Sequence, residues 1–415
     1  MRDFETTLGD IRIQGQIDRA YAPVVDAFID NFREREEVGA SLCISVGHQV
    51  VVDLWGGFAD AERTRQWTQD TIAVVFSCTK AATALCANIL LERGQLELHA
   101  PVARYWPEFA RNGKEHVTVA MMLNHTAGVP AFREPIKAGG YYDWDYMVQR
   151  LGDEEPFWEP GTRNGYHMMT FGWTVGELVR RASGKSLGTF FRDEVAAPLG
   201  LDFWIGLPEV HEPRVAGMVA WRPKRGEPAS EFTRALQSDW KSLQGLALLN
   251  SGGHNAGSRE AHAAELGGGG GITNARALEG MYRPLANRGR HDGGTFLQPA
   301  TITRMSQVSV ATPRDATLLI GTRFGLGFMK SMDNRHLQLD GGPQGIDSAL
   351  LGEKAFGHVG AGGSIGFADP ECELAFGYVM NRMGAGILLN PRGQALVDET
   401  YRMLGYRTNA PGVWA

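Results

Sequence analysis

The sequence predicts an α/β protein of the α+β type, an antiparallel sheet flanked by helices and interrupted by a mostly helical insertion. Three observations predict it. Strand-like runs lie near both ends of the chain, each beside a helical pattern. The stretch from about residue 82 to 225 is mostly helical in its apolar spacing, and 415 residues are enough for two domains with a large core. The expected division is a discontinuous sheet domain, residues 1–81 and 226–415, and a helical domain, residues 82–225, with the active site at their interface.

Residues 17–32 carry Ile17, Tyr21, Val24, Val25, Phe28, Ile29 and Phe32 on one helical stripe, and form the first predicted helix. Residues 41–46 and 50–55 are apolar runs on either side of Gly47-His48-Gln49, a hairpin pattern. An apolar run at 72–76 leads into a strongly helix-forming stretch at 81–93. Pro- and Gly-bearing loops at 124–130 and 158–162 break the helical patterns that follow. Residues 251–271, rich in Gly, Ser, His and Ala and ending in five glycines, read as a flexible return loop. No Gly-Lys-Ser/Thr follows these glycines and no G-x-G-x-x-G register opens a dinucleotide unit, so they are not read as a phosphate cradle. A strand at 373–380 and a helix containing Ala395, Val397, Tyr401 and Leu404 close the chain, and the two ends are expected to share one antiparallel sheet.

Composition excludes several functions. Lys plus Arg number 41 against 47 Asp plus Glu, a net charge of −6 with the signs mixed, which disfavours nucleic acid and anionic membranes as partners. Residues 1–10 lack a basic and then apolar leader, and no apolar run reaches membrane-spanning length, so a soluble cytoplasmic protein is expected. Cys43, Cys78, Cys86 and Cys372 form no C-x-x-C pair and read as reduced core residues. The eleven histidines show neither H-x-H nor H-E-x-x-H, and neither a metal nor a cofactor is expected.

The chemistry-bearing stretch is Ser77-Cys78-Thr79-Lys80. A serine three residues ahead of a lysine shares its helical face, and the first turn of a helix favours negative charge. Serine needs a base, and lysine serves as one when burial or a nearby cation lowers its pKa. Cys78 is off that face. A competing signature, G-x-S-x-G at 362–366, would make Ser364 the nucleophile. It lacks the helix that should follow, and no histidine comes after His358 to complete a triad.

Four motifs occur in order: Ser77-x-x-Lys80; Leu123-Asn124-His125-Thr126-Ala127-Gly128; Trp158-x-Pro160-Gly161-Thr162 leading to Tyr166-His167-Met168; and His358-Val359-Gly360 followed by Ala361. From about residue 20 onward the chain resembles the serine β-lactamase and penicillin-binding-protein superfamily, and within it the class C β-lactamase-like esterases called family VIII carboxylesterases. The resemblance implies a β-lactamase/transpeptidase-like fold with Ser77 as acylated nucleophile, Lys80 as its proton acceptor and Tyr166 as general acid and base. A lysine ammonium beside Tyr166 would ease its ionisation, so that the two share a proton. The resemblance also implies that His358-Val359-Gly360 is an edge strand beside the nucleophile, with the N–H groups of Ser77 and Ala361 as oxyanion hole.

Two departures from the family pattern bear on substrate. Met168 stands where β-lactamases have an Asn, and His358 replaces a permanently charged Lys. Both point to neutral ester substrates, with His358, Gly360, Met168, Trp158 and Tyr141 as substrate-binding candidates. His125 reads as a turn-holding residue. The resulting expectation is a serine carboxylesterase acting on small to medium esters, with β-lactamase as a side activity. A β-lactamase or D-aminoacyl peptidase or amidase, an acyltransferase and an inactive ligand-binding scaffold are the alternatives.

Overall fold

The computed structural model describes residues 1–223, 225–337 and 347–415. Its centre is a seven-stranded antiparallel sheet drawn from both ends of the chain. The N-terminal strands are β1 (Arg2–Leu8), β2 (Ile11–Ile17), β3 (Gly39–Val46) and β4 (Gln49–Gly57); the C-terminal ones are β5 (Phe356–Val359), β6 (Ile365–Asp369) and β7 (Leu374–Met380). Their spatial order is β1-β2-β4-β3-β7-β6-β5. The halves join where β3 pairs with β7, Leu42 opposite Tyr378, as the patterns at the two ends predict.

Side-chain alternation sends each strand into two cores. Leu42, Ile44, Phe376 and Tyr378 face one side with helices α1 (Ala22–Glu34) and, near the C-terminus, Pro391–Met403. Cys43, Ala375 and Val379 face the other, against the helix Ala275–Ala286. That second core continues into α2 (Cys78–Glu92), whose residues 78–91 are all buried. Helix α3 (Thr170–Ser183) packs directly on α2.

Two expectations are corrected. The first helix begins at Ala22 rather than residue 17, because Ile17 ends β2 and Asp18 accepts from the Ala20 N–H, capping a short turn ahead of Pro23. The β1–β2 hairpin itself was not anticipated, although residues 11–17 alternate buried and exposed as a half-buried strand does. The glycine run is no flexible loop: residues 266–275 are buried throughout.

Candidate active site

The chain reaches Ser77 through the two-residue strand Ala73–Val74, paired with Ile272–Thr273. Phe76, next in line before the serine, has φ +45°, a left-handed conformation uncommon outside glycine and a local store of strain. The turn it makes sets Ser77 at the N-cap of α2. The Ser77 hydroxyl makes no capping bond there and stays partly exposed, so it is free for chemistry.

Lys80, one turn on, is fully buried. Its Nζ lies 3.0 Å from Ser77 Oγ and donates to the carbonyl oxygens of Met168 and Gly268, both at 2.6 Å. It also sits 4.7 Å from the centre of the Tyr166 ring. Burial pushes its pKa well below the ordinary lysine value, and none of its three polar partners is an anion.

The Gly268 contact requires glycines. A Cβ at Gly172 in α3 would come within 2.2 Å of the Gly268 nitrogen, and one at Gly268 within 2.5 Å of the Met169 carbonyl oxygen. The run therefore threads between α2 and its neighbours at backbone contact distance. Thr83 Oγ1 donates to the Gly267 carbonyl, and the Gly271 N–H donates to Thr79 Oγ1, fastening the run along α2.

Tyr166 is buried, and its ring stacks on Phe324 at 5.8 Å. Its backbone N–H donates to both carboxylate oxygens of Asp315 at 3.0 Å. That carboxylate also takes the N–H groups of Thr317 and Leu318, so one buried Asp anchors the tyrosine loop. The ionisation expected for Tyr166 is reversed. Burial is the largest influence on both: it pushes the phenol up and Lys80 down, so it works against the charged form of each.

His358 stands on edge strand β5, fully buried. Its Nδ1 is 2.7 Å from the Val359 carbonyl, which only accepts, so the proton is on Nδ1. Nε2 then faces the Tyr166 hydroxyl at 3.4 Å as an acceptor. Burial, with Lys80 nearby, lowers its pKa to about 3, and it is neutral at pH 7. His167, with Nδ1 at 2.7 Å from the Gly165 carbonyl and Nε2 accepting from the Val129 N–H, is lowered to about 4. His125 has φ +67°, and its Nδ1 accepts from the His167 N–H, the turn-holding part its sequence context suggests.

Past His358 the backbone closes on α2. A Cβ at Gly360 would stand 2.2 Å from the Val75 carbonyl oxygen and 3.3 Å from Cys78 Sγ, so only glycine lets the backbone approach the turn that carries Ser77. Cys78 Sγ points to the His358 and Ser364 carbonyls. Among the described residues, neither the Ser77 nor the Ala361 N–H is engaged by another hydrogen bond.

The family model for beta-lactamases matches residues 25–398. This chain belongs to the beta-lactamase family. It is 34% identical over 385 residues to the esterase/beta-lactamase LipL of Mycobacterium tuberculosis, covering 90% of this chain and 83% of LipL. The crystal structure of a family VIII carboxylesterase superposes with TM-score 0.82 at 37% identity, covering 94% of this chain and 99% of that one. A penicillin-binding-protein homologue from Caulobacter crescentus gives TM-score 0.81 at 34% identity, covering 94% and 99%.

Within this beta-lactamase-family fold the remaining sequence candidates are spread out. Met168 faces Lys80 with its carbonyl, while its side chain packs against the cluster of Ala131, Leu246 and Ala247. Trp158 is half-buried over the His167 ring at 6.3 Å and against Gly165. Tyr141 is buried: its ring packs on Trp173 and its hydroxyl donates to the Asn250 carbonyl, so it is a core residue in this structure. Ser364 lies buried after the β5 strand, its Oγ accepting from the Met380 N–H. Sequence reasoning missed Gly268 and Asp315. The five glycines were the available signal for the first; Asp315 left none.

Proposed function

We propose that this beta-lactamase-family chain is a metal-free serine carboxylesterase that forms an acyl-enzyme on Ser77. The observation that carries the reading is the bonding of Lys80. A neutral amine has two N–H bonds and one lone pair. With the Met168 and Gly268 carbonyls taking both N–H bonds, the lone pair faces the Ser77 hydroxyl, which is the geometry of a general base.

In acylation Lys80 takes the Ser77 proton as Oγ attacks the ester carbonyl, and the oxyanion is held by the Ser77 and Ala361 N–H groups. Tyr166 protonates the departing alkoxide and is left as a phenolate beside the Lys80 ammonium. In deacylation the phenolate takes a proton from water, the hydroxide attacks the acyl group, and Ser77 leaves with the Lys80 proton. Neutral His358, accepting from the Tyr166 hydroxyl, orients that proton and offers no charge to a substrate carboxylate. This favours neutral esters over β-lactams. The names of LipL and the family VIII carboxylesterase support ester cleavage, and LipL's also supports β-lactam hydrolysis as a second activity.

Four unpaired thiols, three of them buried, fit a reducing cytoplasm, and a small-molecule ester is the partner the reading requires. The test is hydrolysis of p-nitrophenyl butyrate with intact-mass detection of a fluorophosphonate adduct. Ser77→Ala should lower kcat at least about 10³-fold and abolish the adduct. Full activity in that variant, or turnover of nitrocefin well above the ester, would overturn the assignment.

A further inference from the structure

The proposed oxyanion donor Ala361 sits in the turn that joins β5 to β6. Its side chain is a single methyl and the residue is exposed, so packing does not hold it. Gly362 and Gly363 follow with φ +89° and +121°, conformations open to glycine and rarely taken by other residues. Two such residues in succession give the turn little stiffness of its own. An oxyanion donor, by contrast, works only when it is held within about 0.5 Å of its place.

One end of the turn is fixed at Gly360. Its N–H donates to the Ser364 carbonyl at 2.7 Å, and its own carbonyl accepts from the Gly363 N–H at 3.0 Å. The other end is fixed by Asn390, which is 3% exposed. Its Nδ2 donates to the Gly362 carbonyl at 2.6 Å, and the Gly384 N–H donates to the same oxygen at 3.0 Å, so both lone pairs are taken. A Cβ at Gly363 would come within 2.1 Å of Asn390 Nδ2 and one at Gly384 within 2.2 Å, so the amide is wedged between two stretches of backbone.

Asn390 is itself anchored. Its Oδ1 accepts from the N–H groups of Arg392 at 3.1 Å and Gly393 at 3.3 Å, capping the helix Pro391–Met403. Arg392 ties the start of that helix to the sheet: Nη1 donates to buried Glu37 at 3.1 Å, and Nη2 donates to the Arg382 carbonyl at 2.5 Å and stands 3.5 Å from the Gly362 oxygen. Capping needs only an oxygen, which serine or aspartate supplies as well. The Nδ2 donor is what capping leaves unexplained.

We infer that Asn390 is a positioning residue for the reaction: by holding the Gly362 carbonyl it sets the Ala361 N–H where the ester's oxyanion develops. The inference rests on the esterase reading of Ser77. Asn390→Asp keeps the capping oxygen and replaces the donor at Gly362 with an acceptor. Acylation and deacylation both pass through an oxyanion, so kcat and kcat/KM on p-nitrophenyl butyrate, per site titrated with a fluorophosphonate, should fall together by about 10²-fold with KM little changed. The Ki of butylboronic acid, whose adduct on Ser77 places an oxygen between the two N–H groups, should rise by a similar factor. A merely structural loss would lower the melting temperature and the titrated fraction, and leave that Ki alone. Asn390→Ser, which also caps but has no amide to reach Gly362, serves as the test if Asn390→Asp does not fold. A folded variant in which either the turnover per titrated site or the boronate Ki is unchanged overturns the inference and leaves the esterase reading standing. Wild type that turns over no ester and forms no Ser77 adduct overturns both.

Discussion

A lysine whose polar partners are two carbonyls and a hydroxyl has nothing anionic to hold its charge, and its pKa falls because burial penalises the ammonium. Activity should therefore decline as pH falls through the lowered Lys80 pKa, because protonation removes the lone pair. A kcat/KM profile on p-nitrophenyl butyrate checks this, with an acid limb expected and a flat profile counting against Lys80 as base. Lys80→Arg carries a guanidinium that does not deprotonate and should be about 10²–10⁴-fold slower at every pH. Tyr166→Phe leaves the ring stacked on Phe324 but removes the proton donor, and should cost a similar factor in kcat with the melting temperature little changed. Ser77, Lys80 and Tyr166, the proposed catalytic groups, stand out in the sequence because they lie at short spacing or in ordered motifs, and the structure brings their side chains together. Gly268 acts on Lys80 through a carbonyl, and Asp315 reaches the Tyr166 backbone N–H across 149 residues, and neither of these contacts leaves a local pattern.

At the scale of elements, the site depends on how closely backbones approach. Gly172 touches no catalytic side chain, yet a methyl there would collide with the Gly268 nitrogen and displace the carbonyl that orients Lys80. Gly172→Ala should cost about 1–3 kcal/mol in urea-unfolding stability and most of the esterase activity. Retention of both would show that α3 and the glycine run yield more easily than their contact suggests. Hairpin β3–β4 and strand β7 were legible from apolar runs bounded by turn residues. The β1–β2 hairpin was obscured because Ile17 also fits a helical stripe, and only Asp18 and Pro23 mark the break. The glycine run looked loose in sequence because glycine marks both mobile loops and tight contacts, and only the neighbouring helices decide between them.

For the whole molecule, the buried histidines couple stability to acidity. The values of His167 and His358 drop from 6.5 in the unfolded chain to about 4 and about 3 in the folded one. Above pH 6.5 neither state is protonated there and the effect is nil. As pH falls below that, the unfolded chain takes up protons the folded one refuses, and stability is lost until the folded values are passed. Each histidine contributes a slope of about 1.4 kcal/mol per pH unit. Buried Asp315 and Glu37, whose carboxyls burial raises, act in the opposite sense. Unfolding free energies of His167→Gln against wild type between pH 6.5 and 4.5 isolate the histidine: the variant's slope should be shallower by about that amount, and an equal slope would count against a neutral His167.

The pairing of β3 with β7 also sets an order in time. Residues pass out of the ribosome from the N-terminus at about 5–20 per second, and His358 follows Cys78 by 280 positions. Ser77 and Lys80 thus exist for roughly 14–56 s before strand β5, which leads to Ala361, the proposed second oxyanion donor, has been made. During that interval the growing chain holds the proposed nucleophile with half of its proposed cradle, and the last strands to be translated are the ones that complete the site.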